Sequence, residues 1–262
     1  MMTHADYPIL EHDSSRQAMI RAEDFLTPTL PEKCVLTFFH DALEKLAAER
    51  RWPAVASLHS EIVDLPVYLC HGAEGDVCLT TPFATSPGAA MTLEELRAMG
   101  CREFLVCGGA GVLASDMRLG SLILPTAALR DEGASYHYLP PAREVACHAG
   151  MLARVRRGLT AMGVPFVEGK TWTTDAMYRE TPERVSRRRA EGCLTVEMEA
   201  AGFFAVSAYY DLPLAQLLYA GDDLSGEAWN ARGWDRQHTV RENLIITALS
   251  LLGGGEEKRS DP

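Results

Sequence analysis

The sequence contains no apolar run long enough to cross a membrane, since none approaches the roughly 18 residues that such a span requires. Its first residues, MMTHADYPILEHDSSRQ, lack the basic region and apolar core of a signal peptide, so we expect none. Positive charge is also scarce: 25 Lys and Arg face 36 Asp and Glu, giving a formal net charge of −11. A phosphate backbone and an anionic membrane surface are therefore unfavourable partners, and we expect neither.

Paired cysteines are also missing. The seven cysteines are scattered through apolar segments, and none forms a CxxC pair or another metal-ligand spacing. An odd number of separated cysteines is typical of buried, reduced thiols, so we predict a cytoplasmic protein without a metal site. These cysteines are Cys34, Cys70, Cys78, Cys101, Cys107, Cys147 and Cys193.

Strand-like and helix-like segments alternate along the chain, which indicates an α/β protein. The short apolar run Cys34–Phe39 predicts a buried strand, and Ala200–Tyr210, apolar on all sides, predicts a central buried helix. A length of 262 residues with 47% hydrophobic residues suits one large domain. We predict a single domain over 1–262, with an ordered core at about 30–252 and a flexible tail at 253–262.

Local signals predict where several helices begin and end. Thr92-Leu93-Glu94-Glu95 has the pattern of a capping box, so a helix is expected to begin there and to end at Gly100. Thr181-Pro182 predicts another helix start, and Gly192 the end of that helix. A third helix is expected over Ala142–Met162, which has helical spacing of its apolar residues.

Two acids stand two residues apart in Thr195-Val196-Glu197-Met198-Glu199-Ala200-Ala201-Gly202. A carboxylate can accept from two vicinal hydroxyls at once, as a ribose offers, and a thioether packs well on a sugar face. The alternative is a helix that begins with acids because its dipole favours them. Both interpretations place Glu197 and Glu199 at the junction of a strand and a helix.

The segment Val-Glu-Met-Glu-Ala-Ala-Gly closely resembles the ribose-binding segment of the purine nucleoside phosphorylase and uridine phosphorylase superfamily. The resemblance implies a three-layer α/β/α domain with a mixed central sheet and cleavage of N-glycosidic bonds. It assigns ribose binding to Glu199, with Met198 and Glu197 beside it. It implies a small-molecule nucleoside as partner, no metal or organic cofactor, inorganic phosphate as a possible co-substrate, and a homo-oligomer, either a dimer or a hexamer.

A second acidic pair, Gly221-Asp222-Asp223, follows the apolar run Leu214–Ala220. Residues just past the carboxyl ends of buried strands line ligand crevices, although Gly and Asp also make ordinary turns. A neutral carboxylic acid at this place could donate a proton to purine N7 as the bond to ribose breaks. In purine-cleaving members of the superfamily an acid falls at this spacing, so the resemblance assigns the catalytic acid to Asp222 and favours a purine base.

Three further segments concern the base. The glycines that follow Phe104–Cys107 predict a turn where a base or phosphate can approach the backbone. In the family this turn contacts the ligand. The resemblance therefore implies that Gly108 and Gly109 contact the base. Thr173–Tyr178 resembles a family segment that places an aromatic residue against base and sugar, with Met177 and Tyr178 at those positions. Arg130–Ser135 looks like a uridine phosphorylase segment and favours a pyrimidine, or it is simply a polar loop.

The phosphate cradle of the family is replaced in this chain. Where the family has Gly-Asp-Pro-x-Arg after the first strand, the sequence reads His40-Asp41-Ala42-Leu43-Glu44. Val106 and Gly109 stand at two other ligand positions, and the arginine that a neighbouring subunit lends falls near His59-Ser60. A Glu in a phosphate pocket repels the anion.

Three hypotheses follow from this replacement. Water is the nucleophile, with Glu44 or Asp41 as its general base. Alternatively, phosphate is bound by other cations, or the chain binds nucleosides without turning them over. The retained ribose segment and Asp222 favour an enzyme, a nucleoside phosphorylase-like pentosyltransferase or an N-glycosidase of nucleoside catabolism or salvage. The cations considered for phosphate are His40, His59, Arg16, Arg21, Arg50 and Arg51.

Overall fold

A computed structural model describes residues 4–255 of the chain. The strands are β1 Lys33–Thr37, β2 Ala54–His59, β3 Asp64–Cys70, β4 Val77–Thr80, β5 Glu103–Val112, β6 Leu122–Asp131, β7 Glu144–Ala146, β8 Phe166–Thr174, β9 Cys193–Glu197 and β10 Leu214–Asp223. The helices are α1 His40–Arg50, α2 Thr85–Ala98, α3 Ser135–Tyr138, α4 Ala149–Ala161, α5 Pro182–Ala190, α6 Ala200–Tyr210 and α7 His238–Gly253.

One mixed sheet contains these strands. β5 pairs with β1 and β10 in parallel and with β9 in antiparallel, and β10 continues through β6 and β8 back to β9. A closed ring of hydrogen-bonded strands is therefore formed by β5, β10, β6, β8 and β9. The sheet continues outward from β5 through β1, β4, β3 and β2. Helices α1, α4 and α7 cover one face, and α2, α3 and α6 cover the other. The predicted three-layer α/β/α domain with a mixed central sheet is confirmed.

Helix α6 is the apolar centre of its layer. It has no polar stripe, and its first eight residues, Ala200 to Ser207, are all buried, including Phe203 and Phe204. A helix that is apolar on all sides is stable only when it is enclosed, so its burial follows directly from its sequence. It ends at Asp211, whose φ of 55° is left-handed. The boundaries predicted for this helix are confirmed.

Other boundaries differ from the predictions. α2 begins at Thr85, so Thr92 lies inside the helix, where its Oγ1 accepts from the backbone N–H of Phe83 at 3.0 Å. Gly108 and Gly109 lie within β5 rather than in a turn. The helix expected over Ala142–Met162 begins only at Ala149, because β7 occupies its first part.

Two further predictions concern the ends of helices and the end of the chain. Thr181 caps α5 as predicted, with its Oγ1 accepting from the backbone N–H of Arg184 at 3.4 Å. The predicted flexible tail, 253–262, begins too early, because Gly253 is the buried last residue of α7; its residues 256–262 lie outside the described residues. Within 4–255, no helix combines the length and apolarity that crossing a membrane requires.

Gly202 allows α6 to contact α2 closely. A Cβ built at Gly202 would lie 2.8 Å from the carbonyl oxygen of Ser86. Gly→Ala normally stabilises a helix by about 1 kcal/mol, but this contact is with backbone that cannot move aside.

We expect Gly202→Ala to lower the free energy of unfolding by about 1–3 kcal/mol in urea titrations. Gly226→Ala is the control, because a Cβ there would lie 3.8 Å from the carbonyl oxygen of Ala228, an ordinary contact; equal stability of the two variants would contradict the expectation.

Candidate active site

Glu197 ends β9, and its carboxylate is occupied by the protein. Oε1 accepts from the hydroxyl of Thr173 on β8 at 2.6 Å. Oε2 accepts from the backbone N–H groups of Glu199 at 2.8 Å and Ala200 at 2.6 Å. The carboxylate therefore satisfies two of the N–H groups that the first turn of a helix leaves without partners. Glu197 joins β8, β9 and α6 and holds the segment that follows it.

Glu199 is placed differently, as the residue immediately before α6. It is half-buried, and its Oε1 accepts from the backbone N–H of Thr85 at 2.8 Å. The backbone N–H of Met198 also stabilises its charged form, whereas the carboxylate of Glu197 accepts three hydrogen bonds from the protein. A carboxylate has about four acceptor sites, so Glu199 retains capacity for the hydroxyls of a ligand. Met198, also half-buried, lies between the two acids.

Thr85, which no motif in the sequence indicates, also contributes to the site. Its φ is +68°, a left-handed value that is strained for a β-branched residue and typically costs about 1–3 kcal/mol. In this conformation its N–H points at Glu199. The next residue, Ser86, accepts from the backbone N–H of Gly202 at 3.1 Å, which joins the beginnings of α2 and α6. The chain TTPFATSPG gave no local signal for this strained turn.

The ionisation of Glu197 is coupled to that of Glu199. Burial and the charge of Glu199 raise the pKa of Glu197 to about 8. Burial also raises the pKa of Glu199 to about 7, although the backbone N–H of Thr85 stabilises the charged form of this carboxyl group. Two interacting acids titrate as a pair, so near neutral pH the pair holds about one proton. The junction therefore offers hydrogen-bond acceptors while carrying only part of its full negative charge near neutral pH.

Asp222 lies close to the same junction. Gly111 on β5 is the register partner of Val196 on β9, and a Cβ built at Gly111 would lie 3.0 Å from Val196 and 3.5 Å from Asp222 Oδ1. Oδ2 of Asp222 accepts from Nε1 of Trp229 at 2.6 Å. Burial and the negative charge of Asp222 raise the pKa of the neighbouring Glu180 to about 7. The fold thus brings a second acid, not found from the sequence, to Asp222.

The loop after β10 is held by Arg232. Its guanidinium donates to the carbonyl oxygens of Gly221 at 2.5 Å and Met117 at 3.0 Å, and lies 3.6 Å from Oδ2 of Asp223. Asp223 also accepts from the backbone N–H of Ser225 at 2.8 Å. Asp223 and Arg232 therefore fix the loop that carries Trp229, whereas Asp222 contacts this loop through the indole of Trp229.

The residues predicted to contact a base are dispersed. Met177 and Tyr178 lie on a 3₁₀ turn after β8 and are 52% and 92% exposed. A Cβ at Gly109 would lie 3.0 Å from the ring of Tyr219, and one at Gly108 would lie 3.3 Å from Leu218. Packing alone therefore explains why these two positions carry no side chain.

The segment that resembled uridine phosphorylases is a structural turn. Arg130 is buried, and its Nε donates to Oγ of Ser135 at 2.8 Å while its NH1 donates to the carbonyl oxygen of Pro140 at 2.8 Å. The backbone N–H of Ser135 donates to Glu132 at 3.0 Å. These contacts use the polar groups of the segment within the protein.

The candidate nucleophile residues separate into two groups. His40 begins α1, with Nε2 3.4 Å from Oε1 of Glu44 and Nδ1 3.4 Å from Oγ1 of Thr81. Asp41 is exposed in the same turn. His59 instead ends β2, 2.5 Å from Oδ1 of Asp64. It lines a cavity of about 860 Å³ between the N-terminal segment and α2 that includes none of Glu197, Glu199 and Asp222.

A profile of the Phosphorylase superfamily matches residues 38–249, and the chain belongs to this family. The predicted membership of the nucleoside phosphorylase superfamily is thereby confirmed. Guanosine phosphorylase of Halorubrum lacusprofundi is 31% identical over 156 residues, which cover 60% of this chain and 64% of that protein, less than two thirds of its length. Uridine phosphorylase of Salmonella typhimurium is 28% identical over 182 residues, which cover 64% of this chain and 71% of that protein.

Solved structures share the fold. The crystal structure of AMP nucleosidase from Bacteroides thetaiotaomicron superimposes with a TM-score of 0.67 at 24% identity, covering 84% of this chain and 87% of that one. At this identity the likeness concerns the architecture alone. The relatives thus include proteins named for purine and for pyrimidine nucleosides, and the chemistry of this chain must be argued from its own residues.

The buried acids predict how stability depends on pH. A raised pKa in the folded state means that the folded state holds more protons, so the contribution is complete below the ordinary value of 4.5 and is lost as pH rises toward about 8. We expect the free energy of unfolding to fall between pH 5 and 8, by at most about 1.4 kcal/mol per pH unit for each group. Glu197→Gln should make this slope shallower in urea titrations, whereas the exposed Asp13→Asn should preserve it. Identical slopes for Glu197→Gln and the unsubstituted protein would contradict the raised pKa.

Proposed function

We propose that this chain cleaves the N-glycosidic bond of a purine ribonucleoside. The observation that carries the proposal is the arrangement of two acidic centres, Glu199 before α6 and Asp222 at the end of β10, on strands that Gly111 brings together. Glu199 suits binding of the sugar, and Asp222 suits protonation of the base. The names of the relatives, among them guanosine phosphorylase, support a nucleoside as substrate.

Glu199 holds the ribose in this proposal. Its carboxylate accepts from the two vicinal hydroxyls, Met198 packs on the sugar, and Glu197 positions both residues by fixing the start of α6. As the bond to the base breaks, positive charge develops on the sugar. A pair of acids that carries one negative charge stabilises this charge more than it stabilises the neutral substrate, which is the requirement for catalysis.

Asp222 protonates the leaving base. A purine leaves more easily when its N7 accepts a proton, and a carboxylic acid near neutral pH must be kept protonated to supply it. The neighbouring Glu180 supplies this proton, because burial and the negative charge of Asp222 raise the pKa of Glu180 to about 7, and Asp222 passes the proton on to the base. Trp229 orients Asp222 through the hydrogen bond from its indole.

Replacing the acid tests this role. We expect Asp222→Asn to lower the rate of base release from inosine or guanosine by about 10²–10⁴-fold, because the amide cannot donate an acidic proton, while nucleoside binding changes little. Chromatography of the released base and calorimetric titration of the nucleoside measure the two quantities. Asp235→Asn, an exposed acid in the same loop, is the control. Equal rates for Asp222→Asn and the control would remove Asp222 from the chemistry.

Water is our second candidate for the nucleophile, beside phosphate, and one observation favours it. Where the family places a phosphate ligand, Glu44 lies 3.4 Å from His40. A carboxylate repels phosphate but accepts a proton from water, so this pair suits a general base with its orienting partner. Phosphorolysis would require the His40 ring or a cation from another subunit to overcome that repulsion.

Phosphate dependence distinguishes the two nucleophiles. If water attacks, inosine cleavage proceeds without phosphate and yields free ribose, and Glu44→Gln lowers the rate by about 10²-fold. Glu49→Gln, an exposed acid in the last turn of the same helix, serves as the control. Cleavage that requires phosphate and yields ribose 1-phosphate would assign the chain to phosphorolysis, and an unchanged rate for Glu44→Gln would exclude that residue as the base.

Assembly and location stay predictions. A homo-oligomer, dimer or hexamer, is expected, and the hairpin of β2 and β3 supports it, since it carries His59 beside the exposed apolar residues Ile62 and Val63. A neighbouring copy could cover this hairpin and receive His59 near its own site. A cytoplasmic location accords with the reduced thiols expected from the sequence.

A further inference from the structure

Three buried thiols meet at one place in the fold. Cys34 is the second residue of β1, Cys78 is the second residue of β4, and Cys101 lies between α2 and β5. Their sulfur atoms all lie within 4.8 Å of one another, and those of Cys78 and Cys101 are 3.5 Å apart. The three residues are far apart in sequence, which is why no metal-ligand spacing is visible there. We call this group the thiol cluster.

Backbone hydrogen bonds hold the thiol cluster in place. β1 and β4 are parallel neighbours, and Cys34 is the register partner of Cys78, so both side chains leave the sheet on the same side. Gly100, with a φ of +115°, turns the chain after α2, and the N–H of Cys101 then donates to Leu96 at 2.9 Å. The cluster is therefore organised before any ligand arrives.

The spacing of the sulfurs suits a metal ion. Three sulfurs bound to one central ion at about 2.3 Å lie about 4 Å apart in a planar triangle, close to the separations found here. Thiolates select soft ions, chiefly Cu(I) and Zn(II). Structural zinc takes four protein ligands, and within residues 4–255 no fourth His, Cys, Asp or Glu joins the group. Three sulfurs in a dry site therefore favour Cu(I).

We propose that Cys34, Cys78 and Cys101 bind one Cu(I) ion through their sulfur atoms. Each ligating thiol exchanges its proton for the metal and the proton passes to solvent, so neither copper nor sulfur changes oxidation state. The guanidinium of Arg102 donates to the carbonyl oxygen of Cys101 at 2.7 Å and places a positive charge beside the resulting anionic site.

The thiol cluster is separate from the candidate active site. Cys34 and Cys78 stand at the beginnings of their strands and Cys101 just before β5, whereas Glu199 and Asp222 lie at the carboxyl-terminal end of β5. Copper therefore has no part in the proposed glycosidic cleavage. Its effect is on the fold, since an ion that binds the folded state alone stabilises that state.

The test is an anaerobic titration of the reduced, full-length protein with Cu(I) against a chromogenic Cu(I) chelator. We expect one Cu(I) per chain to be retained, X-ray absorption to show sulfur ligands at about 2.3 Å, and the unfolding temperature to rise on loading. Cys78→Ala and, separately, Cys101→Ser should abolish both retention and the rise. Two variants are used because a substitution in β4 affects the core more than one in the turn.

Cys107→Ala is the matched control. Cys107 is equally buried, but its sulfur donates to the carbonyl oxygen of Leu244 and lies outside the thiol cluster. This variant should retain Cu(I) and the rise in unfolding temperature. Circular dichroism of the metal-free variants verifies that each is folded. Equal retention by Cys101→Ser and Cys107→Ala, absence of Cu(I) uptake by the unsubstituted protein, or uptake of Zn(II) in preference to Cu(I) would overturn the proposal.

Discussion

The carboxylate of Glu197 is the contact on which the candidate site depends. It accepts from one hydroxyl on β8 and from the N–H groups of Glu199, just before α6, and Ala200, the first residue of α6, so a single buried acid fixes the relative position of two strands and a helix. Removing such an acceptor leaves buried donors without partners, which costs about 1–3 kcal/mol for each. Glu197 thus holds the junction together, and the carboxylate of Glu199 keeps acceptor capacity that the protein does not use.

Much of the fold could be predicted because its strongest signals are local. The apolar segment that forms α6 and the Thr-Pro start of α5 are properties of short stretches, and the structure agrees with both. The start of α2 was missed because a capping pattern at Thr92 occurs inside a helix that is fixed earlier by contacts with α6. The glycines of β5 are typical of a turn in sequence, but in the structure they lie within a strand and leave room for the side chains of Leu218 and Tyr219 on β10.

The candidate site was predicted where one segment carries its chemistry and missed where separate segments meet. Glu199 and Asp222 could be proposed from the sequence because each belongs to a recognisable run of residues. Thr85 and Glu180 act through partners more than forty residues away, at Glu199 and Asp222, and no periodicity or spacing contains that information. The thiol cluster is the same case: its three residues become neighbours only through the pairing of β1 with β4 and the turn at Gly100.

The bond between Trp229 and Asp222 gives the proposed acid an optical signal. Trp52 and Trp172 are buried and Trp234 is 39% exposed, whereas Trp229 is 63% exposed and donates its indole N–H directly to the carboxylate. Indole emission depends on the polarity around the ring and on the charge at its hydrogen-bond partner. A ligand that displaces the indole from Asp222 therefore alters the intrinsic fluorescence of the chain, so the occupancy of this site can be followed without a label.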